Sequence, residues 1–335
     1  MMGDVSLYGI AAPFVSFAIT WIVVTLVLRR FSDKILDHPN ERSLHGRPIP
    51  RTGGIGVLAG IAAGVAFVSP WAWWPLWTGA IMLMGFSFLD DLVGLPIVGR
   101  LLVHFIAAGL AVFGLLDGRI AFIWLLMVIV VAVWMVNLYN FMDGMDGLAG
   151  GMAVIGFGFF SVAAWIGGAR ALMLMSLCIA ASSAAFLLYN FHPSRIFLGD
   201  AGSTAFGLLA GGLGLIGWRD GVWSPWFPLF VFSPFIVDAS VTLVRRIVQR
   251  KRFWEAHREH YYQRLVLTGW SHRKTAICEY TVMILCGIGA LLTQQFAGAV
   301  QWVLVVCWAV WFFGMAQAVS LVEQQSRMKD AINAR

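Results

Sequence analysis

Charge in this chain is confined almost wholly to the gaps between long apolar runs. Eleven such runs can be read, at about residues 7–28, 53–69, 74–89, 101–116, 120–137, 148–168, 171–189, 203–217, 226–244, 276–293 and 299–320. Hydrophobic residues make up 60% of the 335 and charged residues 12%. A soluble domain of this length has no use for so much apolar surface. The expected fold class is an all-α polytopic membrane protein of about 10–11 transmembrane helices, forming one domain over 1–335. Several runs are shorter than the ~20 residues a full span prefers, so their boundaries are soft.

Lys and Arg give the orientation. With the N-terminus outside and the runs alternating, all but Arg119, Arg170 and Arg219 of the 23 fall at inside ends. This bias predicts a periplasmic N-terminus and a cytoplasmic C-terminus. The first run lacks a basic leader and a small-residue cleavage site, so it reads as a retained helix. The net charge of +6 is mostly this bias, and nucleic-acid binding is not expected. The four cysteines lie in or beside apolar runs without metal-type spacing and read as packing residues. Tryptophans near 71–77 and 218–226 suit an outer interfacial belt, with core packing as the alternative.

Four uncommon polar clusters all lie at inside ends. Polar groups at the end of a membrane helix are costly and usually functional. The loop before residue 54 carries Arg42, His45, Arg47 and Arg51 among prolines, where it can hold phosphate oxygens. Asp90-Asp91 closes the third run. Adjacent carboxylates repel, which asks for a cation or a shared proton, and Arg100 follows nine residues on. Asn137-Leu-Tyr-Asn140-Phe-Met-Asp143-Gly-Met-Asp146-Gly147 packs two amides and two carboxylates beside glycines. Asn137, Asn140 and Asp143 would share a face if the helix persists that far. Phe197-Leu-Gly-Asp200-Ala-Gly-Ser203 opens the eighth run with a carboxylate at a helix N-terminus, which suits a metal–phosphate pair. The long hydrophilic loop at 245–275 carries His257, His260 and Arg264 on one helical face, with too few ligands for zinc. Asp238, inside the ninth run, reads either as a buried acid near the site or as a structural hydrogen bonder.

In this order and spacing, Phe88-Leu-Asp90-Asp91, Asn137-x-x-Asn140-Phe-x-Asp143-Gly-x-Asp146-Gly-Leu148 and Phe197-Leu-Gly-Asp200-Ala-Gly-Ser203 resemble the polyprenyl-phosphate N-acetylhexosamine-1-phosphate transferases. That superfamily includes the peptidoglycan lipid I synthase. The likeness covers nearly the whole chain. It implies Mg²⁺-dependent reaction of a UDP-N-acetylhexosamine with polyprenyl phosphate, with Mn²⁺ as an alternative ion. It places Asn140 and Asp200 at the metal, Arg100 at the pyrophosphate and Asp146 by the uracil. Asn137, Asp143, His45, His260 and Arg264 are expected among the substrate-binding side chains. Asp90 would accept any residual proton and Asp91 would shape the metal environment. Where many relatives carry His-x-His-His, this chain reads His260-Tyr-Tyr-Gln263. That stretch looks more like the O-antigen-initiating subgroup. The expected location is the bacterial inner membrane, with the active site on the cytoplasmic face and the 245–275 loop contributing to it. Monomer and homodimer both remain open. A transporter would place its polar residues near the midplane, and a CDP-alcohol phosphotransferase would show a different Asp-Gly core.

Overall fold

The computed structural model describes residues 7–30, 36–37, 44, 48–68, 70–116, 120–252, 254–255, 257–296 and 298–333. Most of the described residues are helical. After α1 (Leu7–Arg30), two residue pairs, β1 (Leu36–Asp37) and β2 (Ile49–Pro50), meet antiparallel. The succession continues with α2 (Gly53–Val65), α3 (Trp74–Val93), α4 (Ile97–Leu116), α5 (Phe122–Phe141), α6 (Leu148–Ile166) and α7 (Arg170–Asn190). It closes with α8 (Asp200–Arg219), α9 (Trp226–Val231), α10 (Ser233–Val248), α11 (Tyr261–Leu267), α12 (His272–Thr293) and α13 (Ala299–Asn333).

Among the described residues, nine helices are long and apolar enough to cross a membrane. Two of the expected runs differ. The 13 residues of α2 rise only ~20 Å, short of the ~30 Å hydrocarbon core. The run at 226–244 is broken at Phe232 into α9 and α10. Pro228 and Pro234 each lack an N–H donor, and a proline is best tolerated in a helix's first turn, where Pro234 sits.

The axis of the bundle is α8. Of its most apolar stretch 89% is buried, against 61% or less in the other eight spans. Small residues allow this. A Cβ added at Gly54 would lie 2.6 Å from the backbone N of Gly202, so α2 and α8 meet backbone to backbone. Around α8 pack α3, α5 and α2, while α6 and α7 pair with each other and α1 lies on α2 and α7. The outer faces of α4, α5 and α13 carry exposed Phe, Leu, Ile, Val and Trp, as lipid contact requires. At 35 residues, α13 is about 52 Å long and outreaches the bilayer.

The helix ends sort into two sides. On one side Ser87 near the end of α3 meets Thr204 at the start of α8, Asn140 of α5 meets Ser203, and Gly147 before α6 meets Asn190 closing α7. On the other, Arg219 at the end of α8 donates to the Leu115 carbonyl at the end of α4, and Ser224 accepts from and donates to Gln294 just beyond α12. The polar motifs therefore share one end, and the described members of the exceptional arginines, Arg170 and Arg219, lie at the other. Trp71 and Trp74 at that other end are exposed, as a belt requires. Trp223 is instead buried, its indole N–H donating to the Gly214 carbonyl at 3.0 Å.

Candidate active site

Two chain segments far apart in sequence are stitched by their backbones at the shared end. Phe197 N–H donates to the Pro50 carbonyl at 2.7 Å, Gly53 N–H to Phe197 at 2.9 Å, and Gly54 N–H to Leu198 at 2.8 Å. Gly199 then turns with φ 77° and ψ 165°, a region essentially reserved for glycine. A Cβ there would also overlap the Arg51 carbonyl. This turn aims the Gly199 N–H at the Asp143 carboxylate and starts α8 at Asp200. One turn on, Ser203 Oγ donates to Asn140 Oδ1 at 3.0 Å, joining the ends of α5 and α8.

These contacts frame a cavity of about 280 Å³. Asn140, Asp143, Asp200 and Asp37 line it with oxygen ligands, and Arg51 and Arg100 bring positive charge. The 245–275 stretch adds Trp254, Glu255, His257, His260, Tyr262 and Gln263 to the lining. Arg51 Nη1 lies 3.4 Å from Asp91 Oδ1, and Asp91 has Asp200, Asp90 and Asp37 among its charged neighbours. Arg100 Nη1 lies 3.4 Å from Asp90 Oδ2, while Asp90 Oδ1 accepts the Leu95 N–H at 2.6 Å. Asp90 thus fixes both the turn between α3 and α4 and the arginine that reaches the cavity.

The acids are crowded. Burial, then the charges of Asp200 and Asp37, push the Asp143 carboxyl well above the ordinary carboxylate range. A cation among these groups would relieve that repulsion. The donor set is carboxylate and amide oxygen beside arginines, which fits a hard divalent cation holding a phosphorylated ligand. His257 is held down at about 4 by burial, then by His260 and Arg246, so it presents a neutral ring at pH 7. His260 is fixed from behind. Its Nδ1 lies 3.0 Å from Asp238 Oδ1, and the Tyr261 and Tyr262 N–H groups donate to the same carboxylate. Asp238 is therefore the anchor of α11 and lies behind the wall.

Of the residues expected from the sequence, Arg100, Asn140, Asp143, Asp200 and His260 line the cavity, with Asp90 and Asp91 directly behind the arginines. Three are placed elsewhere. Asn137 donates its amide to the Val133 carbonyl at 2.8 Å and lies by His104. The helix ends at Phe141, so a spacing of three does not carry one face from Asn137 to Asp143. Arg264 is buried against α13, donating to Glu323 Oε2 at 2.6 Å and to Ser320. Asp146 turns away from the cavity toward His192, Ser194 and His272. His45 lies outside the described residues. Sequence reasoning named Arg51 only as one arginine of a loop, and it missed Asp37, Trp254 and Tyr262. Asp37 and Trp254 carry no motif. Tyr262 is signalled only by Gly144, where any Cβ would meet the tyrosine hydroxyl.

Comparison with known proteins finds similar chains. Residues 73–217 match the model of glycosyl transferase family 4. The chain is 29% identical to a probable undecaprenyl-phosphate N-acetylglucosaminyl 1-phosphate transferase of Bacillus subtilis, covering 88% of this chain and 87% of that one. It is 27% identical to a decaprenyl-phosphate N-acetylglucosaminephosphotransferase of Mycobacterium leprae, covering 96% and 92%. A phospho-N-acetylmuramoyl-pentapeptide-transferase of Halalkalibacterium halodurans is 26% identical over about half of each chain, 51% and 51%.

Proposed function

We propose that this chain, whose residues 73–217 match glycosyl transferase family 4, transfers N-acetylhexosamine 1-phosphate from a UDP-sugar to polyprenyl phosphate, releasing UMP. The observation that carries the reading is the convergence of Asn140, Asp143, Asp200, Arg51, Arg100 and His260 on one cavity at one end of the bundle. A lipid phosphate and a water-soluble nucleotide can meet only at an interface. The cavity lies at helix ends and not at mid-membrane, which disfavours a transporter. The relatives' names support N-acetylglucosamine as the first sugar to test, and a lipid-linked sugar of this kind would serve to initiate a glycan. The basic bias of the same end supports a cytoplasmic active site in the bacterial inner membrane.

Both reactants are anionic, so the barrier is mostly repulsion and positioning. Mg²⁺ held by Asp200, Asn140 and Asp143, near Asp91, would neutralise charge on the diphosphate. Arg51 and Arg100 would hold phosphate oxygens, each oriented by a neighbouring carboxylate. A phosphomonoester has a second pKa of about 6, so the lipid phosphate is already largely ionised at neutral pH. Its oxygen attacks the β-phosphorus directly, the P–O bond to UMP breaks, and no covalent enzyme intermediate forms. Asp90, engaged by Arg100 and by the Leu95 N–H and set back from the cavity lining, serves to orient that arginine and not to take a proton. His260, fixed by Asp238, and the neutral His257 offer hydrogen bonds from the cavity lining.

The test is UMP release from a panel of UDP-N-acetylhexosamines with undecaprenyl phosphate and Mg²⁺ in detergent. Product from at least one donor is expected. Product from none overturns the assignment, and a trapped phosphosugar–enzyme adduct overturns direct attack.

A further inference from the structure

Outside the catalytic cavity, one cluster of metal-ligating groups draws on three separate segments. Asp146 comes from the turn between α5 and α6, His192 from the connection between α7 and α8, and His272 from the first turn of α12. None of the three lines the cavity. One ligand atom from each falls within 4.8 Å of the others. Asp146 Oδ2 lies 2.7 Å from His192 Nδ1 and 3.4 Å from His272 Nδ1. The hydrogen bonding here is incomplete. Asp146 is only 5% exposed, yet its Oδ1 is buried without a hydrogen-bond partner, and His272 Nδ1 is buried and makes no hydrogen bond. Unsatisfied buried polar atoms of this kind call for an explanation.

We propose that Asp146, His192 and His272 form a second metal site, for a first-row transition cation of the Zn²⁺ type. The donor chemistry separates it from the catalytic cavity. Two imidazoles and one carboxylate suit zinc, whereas all-oxygen donors suit Mg²⁺. Three protein ligands leave a fourth position for water, as in other three-ligand zinc sites. With zinc–ligand bonds of about 2.0–2.2 Å, tetrahedral ligand atoms stand roughly 3.3–3.6 Å apart. The His272 distance falls within that range and the His192 distance falls below it, so a bound ion would replace the Asp146–His192 hydrogen bond and spread that pair by side-chain adjustment. The His192 side chain is 38% exposed, which gives the ion an entry path.

The site's place in the fold gives it a job. It ties the turn carrying Asp143 to the connection that leads into Gly199 and Asp200, and ties both to α12. Tyr280 of α12 already grips the same turn through the Gly147 carbonyl. A bound ion would brace the acids of the cavity from behind without touching a substrate.

The experiment uses full-length protein in detergent, stripped with a chelator and dialysed against Zn²⁺ in the presence of excess Mg²⁺. One zinc per chain is expected in the wild type and in D200N, which alters only the cavity. In H192A, H272A and the milder H192N/H272N, affinity should fall by more than about tenfold, the loss that even an outer-shell partner can cause. Co²⁺ in place of Zn²⁺ should give the visible absorption of a four-coordinate N/O site in wild type and D200N only. Wild-type protein that retains no zinc under these conditions overturns the proposal, leaving a hydrogen-bonded Asp–His cluster. So does H192N/H272N protein that elutes as the wild type does and binds zinc equally well.

Discussion

Replacing Gly199 by alanine tests how the cavity is built. The residue sits at φ 77° and ψ 165°, where a non-glycine residue costs about 1–3 kcal/mol. The added Cβ would also overlap the Arg51 carbonyl, so the strand of chain at 50–54 must move away from 197–200 or the turn must flip. Either movement shifts Asp200 relative to Asn140 and takes the Gly199 N–H off Asp143. A displacement of about 1 Å in a positioned group can cost about a hundredfold in rate. G199A should therefore lose about two orders of magnitude in UMP release, with stability falling by the strain alone or somewhat more. G168A provides the control. Gly168 also has a positive φ, 71°, but no atom lies within 4 Å of its would-be Cβ, and it lies at the opposite end of the bundle. It should lose about 1–2 kcal/mol of stability with its activity intact. Thermal unfolding and initial rates measured on the same preparations separate the two effects. G199A protein with wild-type rates would refute the idea that this turn positions the acids.

Because the Asp143 carboxyl is raised well above its ordinary value, it holds its proton to higher pH, and a cation must displace that proton. Mg²⁺ affinity, followed by titration calorimetry, should therefore tighten as pH rises, by up to about tenfold per pH unit while one proton is released, and D143N should flatten the slope. Asp146 has the opposite sign. Burial alone would raise it, but His272, His192 and the Ser194 N–H outweigh burial and hold it below the ordinary value. Its contribution to stability is then full above about pH 3.9 and is lost as pH falls through the lower folded value. Acid unfolding curves of D146N should lack that component. R264Q breaks the buried contact with Glu323 and should cost about 1.5–3 kcal/mol in stability, while R100Q, on the cavity wall, should raise the donor KM more than R264Q does.

The site motifs were legible because polar side chains at the ends of apolar helices have few structural uses. Asn140, Asp143, Asp200 and Arg100 stood out against their surroundings and do share one cavity. Directions around turns were not legible. Asp146 is three residues beyond Asp143, yet Gly144 and Gly147 turn the chain between them, and the carboxylate meets histidines 46 and 126 positions away. Spacing carries no record of such partners. The division of the ninth run into α9 and α10 had a visible signal in Pro228 and Pro234, but hydropathy alone joins the two pieces. Arg264 looked like a neighbour of His260 on a helical face. Its length lets it reach α13, a helix that begins 35 residues later.

The most direct measurement of the central claim is UDP affinity with and without Mg²⁺ in wild-type and D200N protein. Wild-type affinity should rise on adding Mg²⁺, and that gain should vanish in D200N while its metal-free affinity stays near the wild-type level. An equal gain in both proteins would contradict a cavity in which Asp200 helps a cation hold the diphosphate.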